Sequence, residues 1–327
     1  MIGRMRILGI ETSCDETAVC LIEASGEFGP DFTYGIIGNA LHSQIATHAP
    51  FGGVFPDMAK REHAKNLVPI FESALEQAGQ LFPSIQPEMA RPGLAAVEAM
   101  LEREPELSSR LEAFLATHGK PAIDGIAITH GPGLAPALWV GVNFARALSL
   151  AWDIPLVGVN HLEGHIAMAI MHVGHGVSYM KDFEFPAVAL LISGGHTELD
   201  LISAWPQFRL LGQTRDDAVG EAFDKAARML GIPYPGGAQL SRMAAEARKN
   251  PRGVASWRLP RPMSREDNLD FSFSGLKTAV LRLINGRALS DDEKSEIALE
   301  FENAAADVLV AKTIRAAEEH GACTVLL

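Results

Sequence analysis

Arg6-Ile7-Leu8-Gly9-Ile10-Glu11-Thr12-Ser13-Cys14-Asp15-Glu16-Thr17-Ala18-Val19-Cys20-Leu21-Ile22 reads as an apolar strand, a polar turn from Ser13 to Glu16, and a second strand that can pair with the first. The tip of this hairpin carries hydroxyls and carboxylates. The same arrangement returns in the second half of the chain. Phe185 to Ile192 is a strand, Ser193-Gly194-Gly195-His196 a glycine turn, and Thr197-Glu198-Leu199-Asp200-Leu201-Ile202 alternates as the returning strand. Two glycines beside Ser193 expose backbone N–H groups without side-chain obstruction, which is what a phosphate or carboxylate needs. Two such hairpins predict a duplicated α/β fold, with the paired turns facing each other across a cleft between lobes and a nucleotide's phosphates between them. Neither a GxxxxGKS/T loop nor a GxGxxG fingerprint occurs, so the phosphate-loop and Rossmann readings lack their signatures.

Between the hairpins the chain alternates helices and strands. Leu67, Ile70, Phe71 and Leu75 recur at spacings of three and four, which predicts an amphipathic helix over 61–79. Gly125 to Thr129 is a buried strand, and it runs through His130-Gly131-Pro132-Gly133-Leu134 into a helix over 136–152. A strand feeding a Gly-rich turn at a helix start is a common anion or ligand position in α/β folds, while a tight turn that needs Gly for backbone reasons is the plainer account.

After the strand Leu156-Val157-Gly158-Val159 come His161-Leu162-Glu163-Gly164-His165. On a helix, positions i and i+4 lie about 40° apart around the axis, so both imidazoles can reach one divalent ion. A zinc-protease HExxH helix carries its general base directly after the first His. Glu163 stands two residues after His161, about 200° around the helix, and so faces away from such an ion. The plainer account is a pair of hydrogen-bonded or surface histidines.

With 327 residues, 47% of them hydrophobic, the chain can bury a large core, and its length predicts two domains. It has no run of 18 uncharged apolar residues, and its start reads as a strand rather than a signal peptide, so a cytoplasmic protein without a membrane partner is expected. Cys14, Cys20 and Cys323 are few and scattered, which argues against a disulfide framework and fits a reducing compartment. A net charge of −12 argues against wrapping nucleic acid unaided. The most basic stretch, Arg252, Arg258, Arg261 and Arg265, is the best candidate contact for an RNA backbone, and a solvated loop is the alternative. Asp216, Asp217, Glu221 and Asp224 open a predicted helix; they either face solvent or line a cleft, holding ribose hydroxyls or a metal-bound water. Asp270 to Thr278 combines a strand, a hydroxyl-rich turn and Lys277.

Taken together these segments resemble the TsaD family of tRNA N6-adenosine threonylcarbamoyltransferases, formerly annotated O-sialoglycoprotein endopeptidases. The matching pieces are Gly9 to Thr17, His42-Ser43-Gln44, Gly52-Gly53-Val54 through His63, Gly131 to Leu134, His161 to His165, Leu191 to Thr197, Gly220 to Lys225, Tyr234 to Gly237 and Phe271 to Thr278. The resemblance implies an actin/Hsp70/sugar-kinase-like (ASKHA) fold of two lobes around a nucleotide cleft. Lobes are expected over 5–158, with an insertion at 80–120, and over 159–327.

The activity implied is transfer of a threonylcarbamoyl group from threonylcarbamoyl-AMP to N6 of the adenosine 3′ of the anticodon, position 37, in tRNAs reading codons that begin with A. By the same resemblance, His161 and His165 are metal ligands for one divalent ion, Fe2+ in the family, with Zn2+ or Mg2+ as alternatives. Leu191, Ile192, Ser193, Gly194 and Gly195 form the substrate-binding turn, and Asp224 and Gly237 hold the nucleotide portion of the substrate. Glu11, Asp15 and Glu16 are candidate proton or water handlers. Implied partners are tRNA, an inert TsaB-like paralogue of the same fold and a small TsaE-like P-loop ATPase.

Two departures from the family stand out. Gln80 to Lys120, with Pro83, Pro87, Pro92 and Pro105 and a helical pattern over 106–117, reads as an extra surface element. The chain ends on the apolar strand Cys323 to Leu327, where relatives continue into a GGV-type turn with a substrate-binding Asn and an Asp that is the third metal ligand; a C-terminally incomplete second lobe is therefore expected. The rival readings are an ASKHA-type small-molecule kinase or ATPase, which does not require the His161/His165 pair, and a non-catalytic nucleotide-binding partner subunit.

Overall fold

The computed structural model describes residues 3–83, 91–172, 177–181, 183–250 and 257–327, with the backbone alone for 91–94. Pro87, the Pro92 side chain and Arg252 lie outside the described residues. The chain divides into two compact units, Met1–Asp182 and Phe183–Leu327.

The first unit is built on the opening hairpin. β1 (Met5–Glu11) and β2 (Glu16–Ser25) pair antiparallel, with Leu8 and Ile10 of one strand and Val19 and Leu21 of the other turned into the core. Then follow β3 (Thr33–Ser43), α1 (Ile45–His48), α2 (Pro56–Gln77), α3 (Arg91–Met100), α4 (Pro105–Thr117), β4 (Gly125–Gly131), α5 (Ala135–Trp152), β5 (Leu156–Asn160), α6 (His161–Ile170), β6 (Met171–His172) and β7 (Ser178–Met180). Among the described residues the sheet order is β5-β4-β1-β2-β3-β7-β6, and β1, β4 and β5 run parallel. α2 begins at Pro56, five residues before the periodicity predicts, because a proline at the first turn forfeits no helical hydrogen bond.

The insertion is not the surface element expected. Its α3 and α4 pack on α5 and α2, and Val97, Leu101, Leu107 and Leu111 are fully buried. Phe114 sits edge-on to Phe71 at 5.1 Å between ring centroids and also contacts Trp152. Removing those side chains from water is worth about 1.5–3 kcal/mol each, so the apolar positions of the segment draw it into the first core. The unit also runs past the expected 158/159 boundary, since β5 completes the parallel ladder beside β4 and α6 follows it without a break.

The second unit comprises β8 (Ala187–Ile192), β9 (Thr197–Ala204), β10 (Gln207–Gln213), α7 (Val219–Met229), α8 (Gly237–Lys249), α9 (Ser274–Ile284), α10 (Asp291–Glu319) and β11 (Thr324–Leu326). Its sheet order is β10-β9-β8-β11, with β8 and β9 antiparallel and β11 parallel to β8. This repeats the order β3-β2-β1-β4 of the first unit: an antiparallel hairpin, a third strand beyond its second member, and a parallel strand beside its first. One face of the sheet, carrying Val188, Leu190, Leu199 and Leu201, packs with α7, α8, α9 and α10 into a second core. α10 opens on a capping box: Ser290 accepts from Glu293 N and the Glu293 carboxylate accepts from Ser290 N.

α7 starts at Val219 rather than at Asp216 because the two aspartates are used elsewhere. The Asp216 carboxylate accepts from Phe273 N at 2.8 Å and Ser274 N at 3.1 Å, and from the Ser272 and Ser274 hydroxyls, so it caps α9. Burial raises the affinity of Asp216 for a proton, but these four donors outweigh it and hold the carboxyl below its ordinary range. Asp217 accepts from Lys225 Nζ at 2.7 Å, and Lys277 Nζ lies 3.3 Å from its other oxygen, near enough for the charge but not aligned as a hydrogen bond.

Candidate functional site

The parallel strands β1, β4 and β5 bring their C-terminal ends together, the position where α/β sheets place ligands. Register sets the details: Ile10 lies opposite Ile128 and Thr129 opposite Val159, so Glu11, Thr129 and His161 emerge at one level. Glu11 Oε2 accepts from Thr129 Oγ1 at 2.6 Å and lies 3.2 Å from His161 Nδ1, while Oε1 accepts from Ser13 N. Burial pushes the Glu11 carboxyl upward, but the hydrogen bonds from His161, Ser13 and Thr129 outweigh it and bring it down to about 2. In a neutral His161 ring, an ionised Glu11 favours the tautomer with its proton on Nδ1, which turns the Nε2 lone pair toward His165.

His161 is the first residue of α6, whose N-terminus is capped by Asn160 Oδ1 accepting from Leu162 N and Glu163 N. One helical turn on, His165 Nε2 lies 3.1 Å from His161 Nε2, with the two rings nearly perpendicular at 88°. Two adjacent ligands of one ion, each about 2.0–2.1 Å from it, show such a separation. Burial foremost, then the neighbouring His161, hold His165 below the usual imidazole range, which favours the neutral form that ligation requires. The pair therefore fits a divalent ion as two of its ligands, with Glu11 orienting one of them from behind. Among the described residues no group of three or more His, Cys, Asp and Glu side chains is gathered around one point.

Asp15 and Glu16 do not join this cluster by hydrogen bond or ion pair among the described contacts. Glu16 is exposed at the start of β2, and the Asp15 carbonyl accepts from Gln44 N at 2.9 Å. Burial first, and then the Asp15 carboxylate, push the Cys14 thiol up to about 12, which favours the protonated thiol. The tip of the hairpin is held by a residue that carries no assigned role in the sequence reading. His63, fully buried on α2, receives Thr17 Oγ1 at Nδ1 at 2.8 Å and reaches the Cys14 carbonyl from Nε2 at 3.0 Å. The His130 to Leu134 turn also serves the backbone: Leu134 N donates to Ser13 O at 2.7 Å, and a Cβ on Gly133 would stand 2.5 Å from that same oxygen.

In the second unit the glycine turn is closed by Ser193, whose hydroxyl accepts from Gly195 N at 3.2 Å and His196 N at 2.9 Å. Gly220, at the start of α7, packs against it so closely that a Cβ would lie 2.6 Å from Ser193 O. The Asp224 Oδ1 atom accepts from Gly236 N and Gly237 N at 2.9 and 2.8 Å, tying α7 to the start of α8 and leaving Oδ2 outside those bonds. These pieces line a cavity of ≈ 500 Å³ floored by α10, with Ile192, Gly194, Asp224 and Gly237 in its wall together with Phe223 and Glu302. Leu191 lies outside that wall, paired with Glu198 in the β8–β9 ladder, and Ser193 and Gly195 shape the turn rather than the wall. Of the four carboxylates near the start of α7, Asp224 alone faces the cavity; Glu221 pairs with Lys225 at 2.8 Å. The basic stretch is also thinner than its sequence suggests, because Arg261 is neutralised by Glu300 at 2.6 Å and Asp307 at 2.8 Å, while Arg258 and Arg265 are exposed.

A family model described as TsaD, tRNA N6-adenosine threonylcarbamoyltransferase, matches residues 35–86 and 110–327. The chain belongs to the TsaD family. A tRNA N6-adenosine threonylcarbamoyltransferase of Thiobacillus denitrificans is 41% identical over 312 residues, covering 95% of this chain and 74% of that protein. One from Ralstonia pickettii is 42% identical over 322 residues, covering 97% and 76%. Among solved structures, YeaZ from Pseudomonas aeruginosa is 16% identical over 63% of this chain and 64% of its own, with a TM-score of 0.29. The TsaD match contains His161, His165, the glycine turn, Asp224 and Gly237, and leaves 87–109 and the β1–β2 hairpin outside it. Thr129 and His63, which hold Glu11 and the hairpin tip, carry only a faint signal in the sequence: a hydroxyl at a strand end and a histidine on the buried face of a helix.

Proposed function

We propose that this chain transfers the threonylcarbamoyl group of threonylcarbamoyl-AMP to N6 of adenosine 37 in tRNA. The observation that carries the reading is the His161/His165 pair with its Nε2 atoms 3.1 Å apart and Glu11 behind His161, an arrangement that an ASKHA-type kinase does not require. His161 and His165 would hold the divalent ion, Fe2+ by family resemblance, with Zn2+ or Mg2+ as alternatives, and when bound it would supply Lewis-acid polarisation of the carbamoyl carbonyl. In the transfer the N6 lone pair forms a bond to the carbamoyl carbon, the bond from that carbon to the phosphate oxygen breaks, and AMP leaves with the electron pair. Glu11, which already accepts from three donors, acts as a positioning residue, and Asp15 and Glu16 are the candidates for the N6 proton. In the second unit the substrate-binding turn Leu191 to Gly195 would meet the phosphate at Gly194, the turn glycine that lines the cavity, and Asp224 and the start of α8 at Gly237 would take the nucleoside.

The ASKHA-type duplicated fold, with the nucleotide cleft that the resemblance implies, belongs to the same reading and is supported by the repeated strand order. So does assembly with a TsaB-like paralogue and a TsaE-like ATPase, since a chain of net charge −12 has little to offer tRNA alone. A cytoplasmic location follows from a tRNA substrate; among the described residues no helix is long and apolar enough to cross a membrane. The test is nucleoside analysis of tRNA incubated with threonylcarbamoyl-AMP, this chain and those partners, alongside metal content. His161→Ala and His165→Ala are expected to lower bound metal and abolish the modified nucleoside while keeping the fold. Full metal occupancy and unchanged turnover in both variants would overturn the assignment.

A further inference from the structure

The first unit has a cavity of its own, ≈ 520 Å³, at the opposite end of its sheet from Glu11 and His161. Its wall includes Arg4 just before β1, Arg6 near its start, Glu23 on β2, Phe82 after α2, and Lys120 and Asp124 before β4. Arg6 and Glu11 are five residues apart on one strand, about 17 Å at 3.3 Å per residue, so this cavity is separate from the histidine site. Its size falls within the range of small-molecule sites.

The cavity is rich in donors and short of acceptors. Both Glu23 oxygens are taken, one by Arg4 at 2.6 Å and the other by Arg6 Nε at 2.7 Å. Asp124 Oδ2 is taken by Arg6 N at 2.7 Å. Each guanidinium keeps N–H groups beyond those bonds. Lys120 Nζ donates to the Trp152 carbonyl at 2.6 Å and has no carboxylate partner among the described ion pairs. Three cations thus face two carboxylates, leaving a net positive charge, and Glu23 and the Trp152 carbonyl hold those cations in place before any ligand arrives. Preorganised donors around a net positive charge suit a phosphate. Phe82, 47% exposed, adds a flat apolar face to the same wall.

We propose that this cavity binds a nucleotide phosphate, with Arg4, Arg6 and Lys120 on the phosphate and Phe82 against the base. The nucleotide is either free or part of an RNA strand, and the site is independent of the transferase reading. The experiment follows acylation of Lys120 in the whole chain by peptide mass spectrometry, at constant ionic strength, with inorganic phosphate, 5′-AMP or a short single-stranded RNA as probe. AMP should protect Lys120 at about one tenth the phosphate concentration, because stacking on an aromatic ring adds to the phosphate contact. Phe82→Ala should abolish that difference. Arg6→Ala should raise the concentration needed by about fivefold or more, and Arg4→Ala, at a side chain 74% exposed, gives the same reading without risk to folding. Protection by RNA below the AMP concentration assigns a strand-borne nucleotide, and protection by AMP alone a free one; both support the site. Gly194→Val, which acts on the other cavity, should leave Lys120 protection unchanged. Equal protection by chloride, no protection by any probe, or protection undiminished in Arg4→Ala and Arg6→Ala would overturn the proposal.

Discussion

Replacing Glu11 with Gln keeps the shape of the side chain and removes one capability, that of accepting from three donors at once. Oε1 can still accept from Ser13 N, but the amide group now faces Thr129 Oγ1 and His161 Nδ1, where the carboxylate accepted at 2.6 and 3.2 Å. Thr129 can rotate its hydroxyl and accept. His161 can accept only by moving its proton from Nδ1 to Nε2, which removes the lone pair that points at His165 Nε2. A hydrogen bond to a charged group contributes about 1.5–3 kcal/mol and a neutral one about 0.5–1.5 kcal/mol, so weakening two bonds costs about 2 kcal/mol of stability. Loss of such an orienting partner typically lowers metal affinity by about 10- to 100-fold. Urea unfolding measures the first quantity, calorimetric titration with Fe2+ or Zn2+ the second, and the ring-nitrogen NMR shifts of His161 report its tautomer. Unchanged metal affinity together with an unchanged His161 tautomer in Glu11→Gln would refute the reasoning.

Three further outcomes are expected. At Gly194 an added Cβ meets nothing within 4 Å and the backbone is not left-handed, so Gly194→Val should fold normally yet bind an AMP analogue at least tenfold more weakly; undiminished affinity by calorimetry would remove the glycine turn from the ligand site. Thr17→Val leaves the buried His63 Nδ1 without its donor and should cost about 1–3 kcal/mol in urea unfolding, whereas a loss under about 0.5 kcal/mol would show that the clamp on the hairpin tip matters little. Burial, and then the nearby Asp200, raise the Glu198 carboxyl to about 7 from 4.5. The native state therefore binds the extra proton, and stability present below about pH 4.5 is lost as pH rises toward about 7; Glu198→Gln should flatten that decline in melting temperature, and an identical pH profile in both proteins would contradict it.

Much of the architecture is legible in local sequence, because strand alternation, helix spacing and turn residues act over a few positions. The two hairpins, the helices over 136–152 and 106–117, and the four-residue spacing of His161 and His165 on one helix all rest on such short periods. What those elements meet is a different matter. Glu11 reads as a candidate proton or water handler, and only the parallel register of β1, β4 and β5 sets it beside Thr129 and His161, 150 residues away, as the acceptor of their hydrogen bonds. Asp216 reads as either a solvent-facing or a cleft carboxylate until Phe273 and Ser274 donate to it, Arg261 as an RNA contact or a solvated-loop residue until Glu300 and Asp307 neutralise it, and the 80–120 segment as a surface addition until its leucines enter the first core. In each case the residue type is plain in the sequence, but its charge state, partners and exposure are set by groups distant along the chain, which only the tertiary fold brings within hydrogen-bonding or packing distance.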